Sequence, residues 1–162
     1  MNELLSKDII DALTARAASL AHPREMTIDV LRAIQDENGW VPDAGVELAA
    51  SILGLSPLQV EEVATFYDKI YRSPVGRRVI HVCDSICCWS RGGEAAYGYL
   101  QQKLGVKPGG TTEDGVFTLL PTCCLGGCGR APSIMVGRKF YGKLTVEELD
   151  RVIAQLREEA AG

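Results

Sequence analysis

Six cysteines stand in two tight groups in this 162-residue chain. The first reads Cys83-Asp-Ser-Ile-Cys87-Cys88 and the second Cys123-Cys124-Leu-Gly-Gly-Cys128. Each group contains a vicinal pair, so spacing leaves four ways to draw two thiolates from each. Four thiolates are the ligand set of a [2Fe–2S] cluster, a [4Fe–4S] cluster or a structural zinc ion. A [2Fe–2S] cluster needs one pair per iron and tolerates a wide separation between pairs. Zinc usually takes tighter C-x2-C knuckles, whereas these pairs are C-x3-C or C-x4-C. A thioredoxin-type dithiol needs C-x-x-C, which is absent. A Rieske centre needs two histidines, and His22 and His81 fall in different halves of the chain. The spacing therefore favours iron–sulfur over zinc, and zinc over thiol redox chemistry.

The residues around the cysteines suit a cluster. Gly126, Gly127 and Gly129 surround Cys128. Glycines let backbone N–H groups approach sulfur, and a tight turn needing positive φ would also use them. Arg91 and Arg130 lie just beyond the two cysteine loops, where they are solvated or meet a partner subunit. Trp89 either shields the cluster from water or packs as an ordinary core residue. His81, two residues before Cys83, reads as a strand residue rather than a ligand. Gly137 to Lys143 fits most of a phosphate-binding loop, but Leu144 stands where a magnesium-binding hydroxyl belongs. Gly137-Arg138 instead reads as a two-residue hairpin turn. No G-x-G-x-x-G is present for a dinucleotide.

The elements that position these residues change type along the chain. In the first half, Ile9, Ile10, Leu13 and Ala17 recur at helical spacing. Thr27 and Asp43 are candidate caps of a second and third helix, ending near Gly39 and at Gly54. Ser56-Pro57-Leu58-Gln59 combines a capping box with proline at the first helical position. Trp40, Phe66 and Tyr67 belong either to the helical core or to a subunit contact. In the second half, Val79–Val82 and Val116–Leu120 read as strands, the latter stopped by Pro121. Ala95–Leu104 reads as a helix, Ser133–Val136 and Lys139–Tyr141 as a hairpin. Thr145 opens a last helix through Leu156. This order predicts an α/β chain: an N-terminal helical bundle over residues 1–75, then a thioredoxin-like domain with a small mixed sheet over residues 76–162.

Composition excludes several classes. With 46% hydrophobic residues and a net charge of −4, the chain is neither disordered nor fibrous. Residues 1–75 carry 12 acids against 6 bases, and residues 76–162 carry 9 against 11. The helices flanking Gly54 could form a helix-turn-helix, but Asp43, Glu47, Glu61 and Glu62 would repel phosphates, so no nucleic-acid partner is expected. The N-terminus has no apolar h-region, and no stretch approaches the roughly 20 apolar residues of a membrane span. A cytoplasmic location is expected, where clustered cysteines serve metal or redox chemistry rather than disulfides.

The segments Val82 to Cys88 and Leu119 to Cys128, with Gly39-Trp40-Val41-Pro42 and Val63-Ala64-Thr65-Phe66-Tyr67, resemble the 24-kDa subunit family of NADH-quinone oxidoreductases, the respiratory complex I. The resemblance covers nearly the whole chain. It implies a thioredoxin-like domain holding one [2Fe–2S] cluster on a C-x4-C and a C-x3-C pair. On this sequence that pattern selects Cys83, Cys88, Cys124 and Cys128, leaving Cys87 and Cys123 as bystanders. It also implies an electron-transfer subunit of an oxidoreductase, without NADH or FMN sites of its own. Those lie on a partner flavoprotein subunit within a larger respiratory complex, peripheral to the membrane. The small subunits of NAD-linked formate dehydrogenases and hydrogenases share the cysteine pattern. A zinc-binding interaction module is the alternative from a different class.

Overall fold

The computed structural model describes residues 4–161. The chain divides into two compact units, Met1–Pro74 and Val75–Gly162.

The first unit is helical: α1 (Lys7–Ala18), a 3-10 turn (Pro23–Met26), α2 (Thr27–Asn38), α3 (Asp43–Leu53) and α4 (Pro57–Phe66). Its core gathers Val30, Leu31, Ile34, Val41, Ala49 and Val60, all fully buried. Gly39 and Gly54 close α2 and α3 with φ of 80° and 65°, a conformation glycine adopts without a Cβ penalty. The capping box at α4 is formed, with Gln59 N–H donating to Ser56 Oγ at 3.3 Å. The two other expected caps are not. Thr27 is already helical, and its hydroxyl donates back to the Arg24 carbonyl at 2.7 Å. Asp43 is likewise the first residue of α3, after Pro42, and no side chain caps that helix. Asp43 instead faces Arg72, whose guanidinium joins it at 2.8 Å and Glu61 at 2.9 Å. Phe66 and Tyr67 are not core residues: they are 79% and 43% exposed, packed edge-on to each other at 5.2 Å.

Among the described residues the second unit has four strands, three α-helices and a 3-10 turn: β1 (Arg78–Cys83), α5 (Ile86–Trp89), α6 (Gly93–Leu104), β2 (Phe117–Thr122), the turn Cys128–Arg130, β3 (Ser133–Val136), β4 (Lys139–Gly142) and α7 (Val146–Ala161). The sheet order is β2-β1-β3-β4. β1 and β2 run parallel, and β3 and β4 are antiparallel to their neighbours. The parallel pairing requires a long crossover, which α6 supplies. Ile80, Leu100, Phe117, Leu119, Ile134 and Leu149 form a fully buried core. Gly137, with φ of 58°, opens the two-residue β3–β4 turn, so the Gly137–Lys143 segment is a hairpin. Pro121 does not stop β2, which continues to Thr122. β2 is an edge strand, and proline there removes no ladder bond needed by a second neighbour. Among the described residues, no helix is long and apolar enough to cross a membrane.

Ser56→Ala removes one half of a formed capping box. It should lower stability by about 1 kcal/mol, read as a lower midpoint in urea unfolding with an unchanged slope.

Candidate metal centre

Both cysteine groups follow the C-terminal ends of the parallel strands β1 and β2. Cys83 is the last residue of β1 and lies in register with Thr122, the last residue of β2. Asp84 N–H donates to the Thr122 carbonyl at 3.1 Å, extending the parallel contact one step into the loops. Two parallel neighbouring strands thus deliver the two cysteine loops side by side. His81 is buried inside β1, opposite Leu120 and Met135, as a strand residue.

After Cys83 the chain forms the short helical turn α5, which sequence periodicity had not indicated. Cys88 N–H and Trp89 N–H both donate to the Ser85 carbonyl at 2.9 Å. Consecutive residues on a helical turn point about 100° apart. Cys87 and Cys88 therefore face different directions. Cys88 is buried and its Sγ lies 3.4 Å from Ser133 Oγ on β3, whereas Cys87 is half-buried. Gly93, at the start of α6, comes so close that an added Cβ would stand 2.7 Å from the Cys88 carbonyl carbon. Trp89 is 59% exposed, so it does not pack as a core residue.

The second loop turns at Gly126, with φ of 78°, and its N–H donates to Cys124 Sγ at 3.4 Å. Cys124 and Cys128 Sγ lie 3.5 Å apart, and both residues are exposed. Gly127 serves packing instead: an added Cβ would stand 2.1 Å from the Phe140 ring. Arg130 lies over that same ring at 4.4 Å, so it is held to β4 by a cation–π contact. Leu125 packs against Cys83, Cys88 and Ala131, and so joins the two loops.

All six cysteines are free thiols. Burial opposes the Cys83 thiolate. Hydrogen bonds from the backbone N–H groups of Ser85 and Leu125, and from the Cys88 and Ser85 side chains, outweigh it and hold the thiol below its usual range. Burial pushes the Cys88 thiol up, and its neighbour Cys83 adds to that rise. Cys128 is pushed up to about 11 by the thiols of Cys124 and Cys87 beside it. Crowded thiols resist ionising together until cations offset their charge, so metal uptake here releases protons.

Among the described residues, no three His, Cys, Asp or Glu side chains converge on a point that would hold a single ion. The thiols instead fall into a buried pair, Cys83 and Cys88, and an exposed pair, Cys124 and Cys128, with Cys87 beside the latter. Two pairs from adjacent loops are the donor set that two irons require, and the N–H groups of Ser85, Leu125 and Gly126 already point at sulfur. The residues present fit such a group.

A family model described as thioredoxin-like [2Fe-2S] ferredoxin matches residues 10–157. The chain belongs to that family. It is 44% identical over 135 residues to the E subunit of the NADH-quinone oxidoreductase of Escherichia coli K12, covering 83% of this chain and 81% of that one. It is 43% identical over 131 residues to the subunit of the same name from Pseudomonas aeruginosa, covering 81% and 79%. Among solved structures, an NAD+-reducing [NiFe]-hydrogenase in the H2-reduced state matches with a TM-score of 0.68 at 21% identity, over 80% of this chain and 22% of that longer chain. That likeness is one of fold. Membership in the family means that the resident cofactor is one [2Fe–2S] cluster, so the zinc alternative falls away.

Gly127→Ala forces a methyl group into the Phe140 ring and should cost about 1–3 kcal/mol of local packing. Iron and sulfide bound per chain should fall. Gly129→Ala, where an added Cβ meets nothing within 4 Å, should load like the unaltered chain.

Proposed function

We propose that this chain is the electron-carrying subunit of an NADH-quinone oxidoreductase, holding its [2Fe–2S] cluster on Cys83, Cys88, Cys124 and Cys128. The observation that carries the reading is the two thiol pairs in the loops that follow adjacent parallel strands, in a chain 44% identical to the E subunit of such an enzyme. When bound, the cluster supplies one-electron chemistry.

The chain's own residues set the conditions for it. The β1 end and the α5 turn hold the Cys83–Cys88 pair under Leu125 and Ala131, away from water. Low local polarity and backbone N–H groups act in opposite senses on an anionic site: the first disfavours added charge, the second stabilises it. Ser133 Oγ beside Cys88 and Gly126 N–H beside Cys124 are the chain's polar contributions.

In this reading NADH and FMN sit on a partner flavoprotein, and the cluster exchanges an electron with that flavin. Residues 76–162 carry the cluster, and residues 1–75 serve packing and docking. The acidic balance of the first half and the exposed Phe66–Tyr67 pair support docking there. The assembly places the chain on the cytoplasmic side, peripheral to the membrane.

An anaerobic visible spectrum with metal analysis tests the cofactor: a red-brown protein that bleaches with dithionite and holds iron and sulfide in equal amounts is expected. Cys88→Ser should abolish that spectrum and Cys87→Ser should preserve it; the reverse result overturns the ligand assignment. Phe66→Ala in the full chain should weaken flavoprotein binding roughly tenfold, as loss of an aromatic anchor does, with the cluster spectrum unchanged.

A further inference from the structure

A cavity of about 160 Å³ opens beside β1 and the start of α6. Its walls include Cys83, Asp84, Trp89, Gly93, Glu94 and Tyr97. Of the four cysteines in the proposed ligand set, Cys83 alone lines it. It therefore opens beside the first cysteine loop, away from Cys88, Cys124 and Cys128.

Its chemistry is specific. Two aromatic side chains and two carboxylates meet there with no cation supplied by the chain: among the described residues, neither Asp84 nor Glu94 has an ion-pair partner. Glu94 stands in the first turn of α6, where a carboxylate also suits the helix dipole. Asp84 lies in the loop after β1 and has no such role. Trp89 lines the cavity with 59% of its surface exposed, so an aromatic face is open to an incoming group. The Tyr97 hydroxyl is buried and makes no hydrogen bond within the chain.

We infer that this cavity receives an arginine side chain of the partner flavoprotein, its guanidinium stacked on Trp89 and bonded to Asp84 and Glu94. A guanidinium meets each feature: a flat cation for the indole face and a fork of N–H donors for the carboxylates. A lysine ammonium is a point charge without the stacking plane, and an apolar side chain would bury the carboxylates unpaired. Because Cys83 forms part of the wall, the arriving cation also lies near the anionic cluster and favours its reduced form. Docking and tuning are then one event. This inference rests on the electron-transfer reading above.

The test measures binding of the cluster-loaded full chain to its NADH-oxidising flavoprotein, at low and high salt. Asp84→Asn combined with Glu94→Gln should weaken binding about tenfold or more at low salt and flatten the salt dependence. Glu113→Gln combined with Glu158→Gln, also exposed acids, should leave both unchanged. Trp89→Ala should weaken binding as well, and Trp89→Phe should restore most of it. The reduction potential should move positive when the unaltered chain docks and move less when the double variant docks. Where Asp84→Asn impairs cluster loading, Glu94→Gln alone gives the same comparison from α6. Unchanged affinity in the loaded acidic variant, or in Trp89→Ala, overturns the cavity assignment and leaves the electron-transfer reading standing. An unaltered loaded chain that takes up no flavoprotein overturns both.

Discussion

The parallel register of β1 and β2 is the constraint on which the metal centre depends. It places Cys83 beside Thr122, so that the chain leaves both strands at one level and in one direction. An antiparallel pairing would send one cysteine group to the opposite end of the strands. A slip of one residue would turn Cys83 to the other face, because strand side chains alternate. Register is held by burial: Ile80, Phe117 and Leu119 are fully enclosed, and a shifted strand would bring His81 or Thr118 into their places. The hydrophobic core of the second unit and the geometry of the thiols are thus one problem with one solution.

Space is the second constraint. The cysteine loops carry little side-chain volume because other backbone must pass close to them. Gly93 lets α6 begin against the Cys88 turn, and Gly142 lets β4 pass the Arg130 carbonyl, where an added Cβ would stand 2.6 Å from the oxygen. Gly127 yields its side-chain space to Phe140, and Phe140 in turn carries Arg130. Gly126 instead works through its own torsion, turning its N–H onto Cys124. Neighbouring glycines in one sequence therefore do different physical jobs, which composition alone cannot separate.

Much of the architecture was legible because its signals are local. The Ser56–Gln59 capping box, the Gly137-Arg138 hairpin and the Ala96–Leu100–Leu104 stripe each lie within one turn or a few. What was missed depends on contacts distant in sequence. Pro121 reads as a stop until β2 is known to be an edge strand. Thr27 and Asp43 look like caps, but a backbone carbonyl and Arg72 engage them. The α5 turn is too short to show a period, and it decides how the first cysteine group is presented. The cavity beside Cys83 had no local signal, since Asp84, Trp89, Glu94 and Tyr97 join only when α6 folds back on β1.

That α5 turn also explains why a vicinal pair need not be ambiguous. In an extended loop, Cys87 and Cys88 would reach the same space and compete. On a helical turn their sulfurs diverge, and the surroundings sort them. Cys88 turns inward to Cys83 and Ser133, in contact with Ala131 and Leu125. Cys87 turns outward to the exposed Cys124–Cys128 pair, where its thiol contacts Cys128. Burial, rather than reach, distinguishes the two. Burial favours the neutral thiol at Cys88, and a metal cation would offset the thiolate charge that burial disfavours.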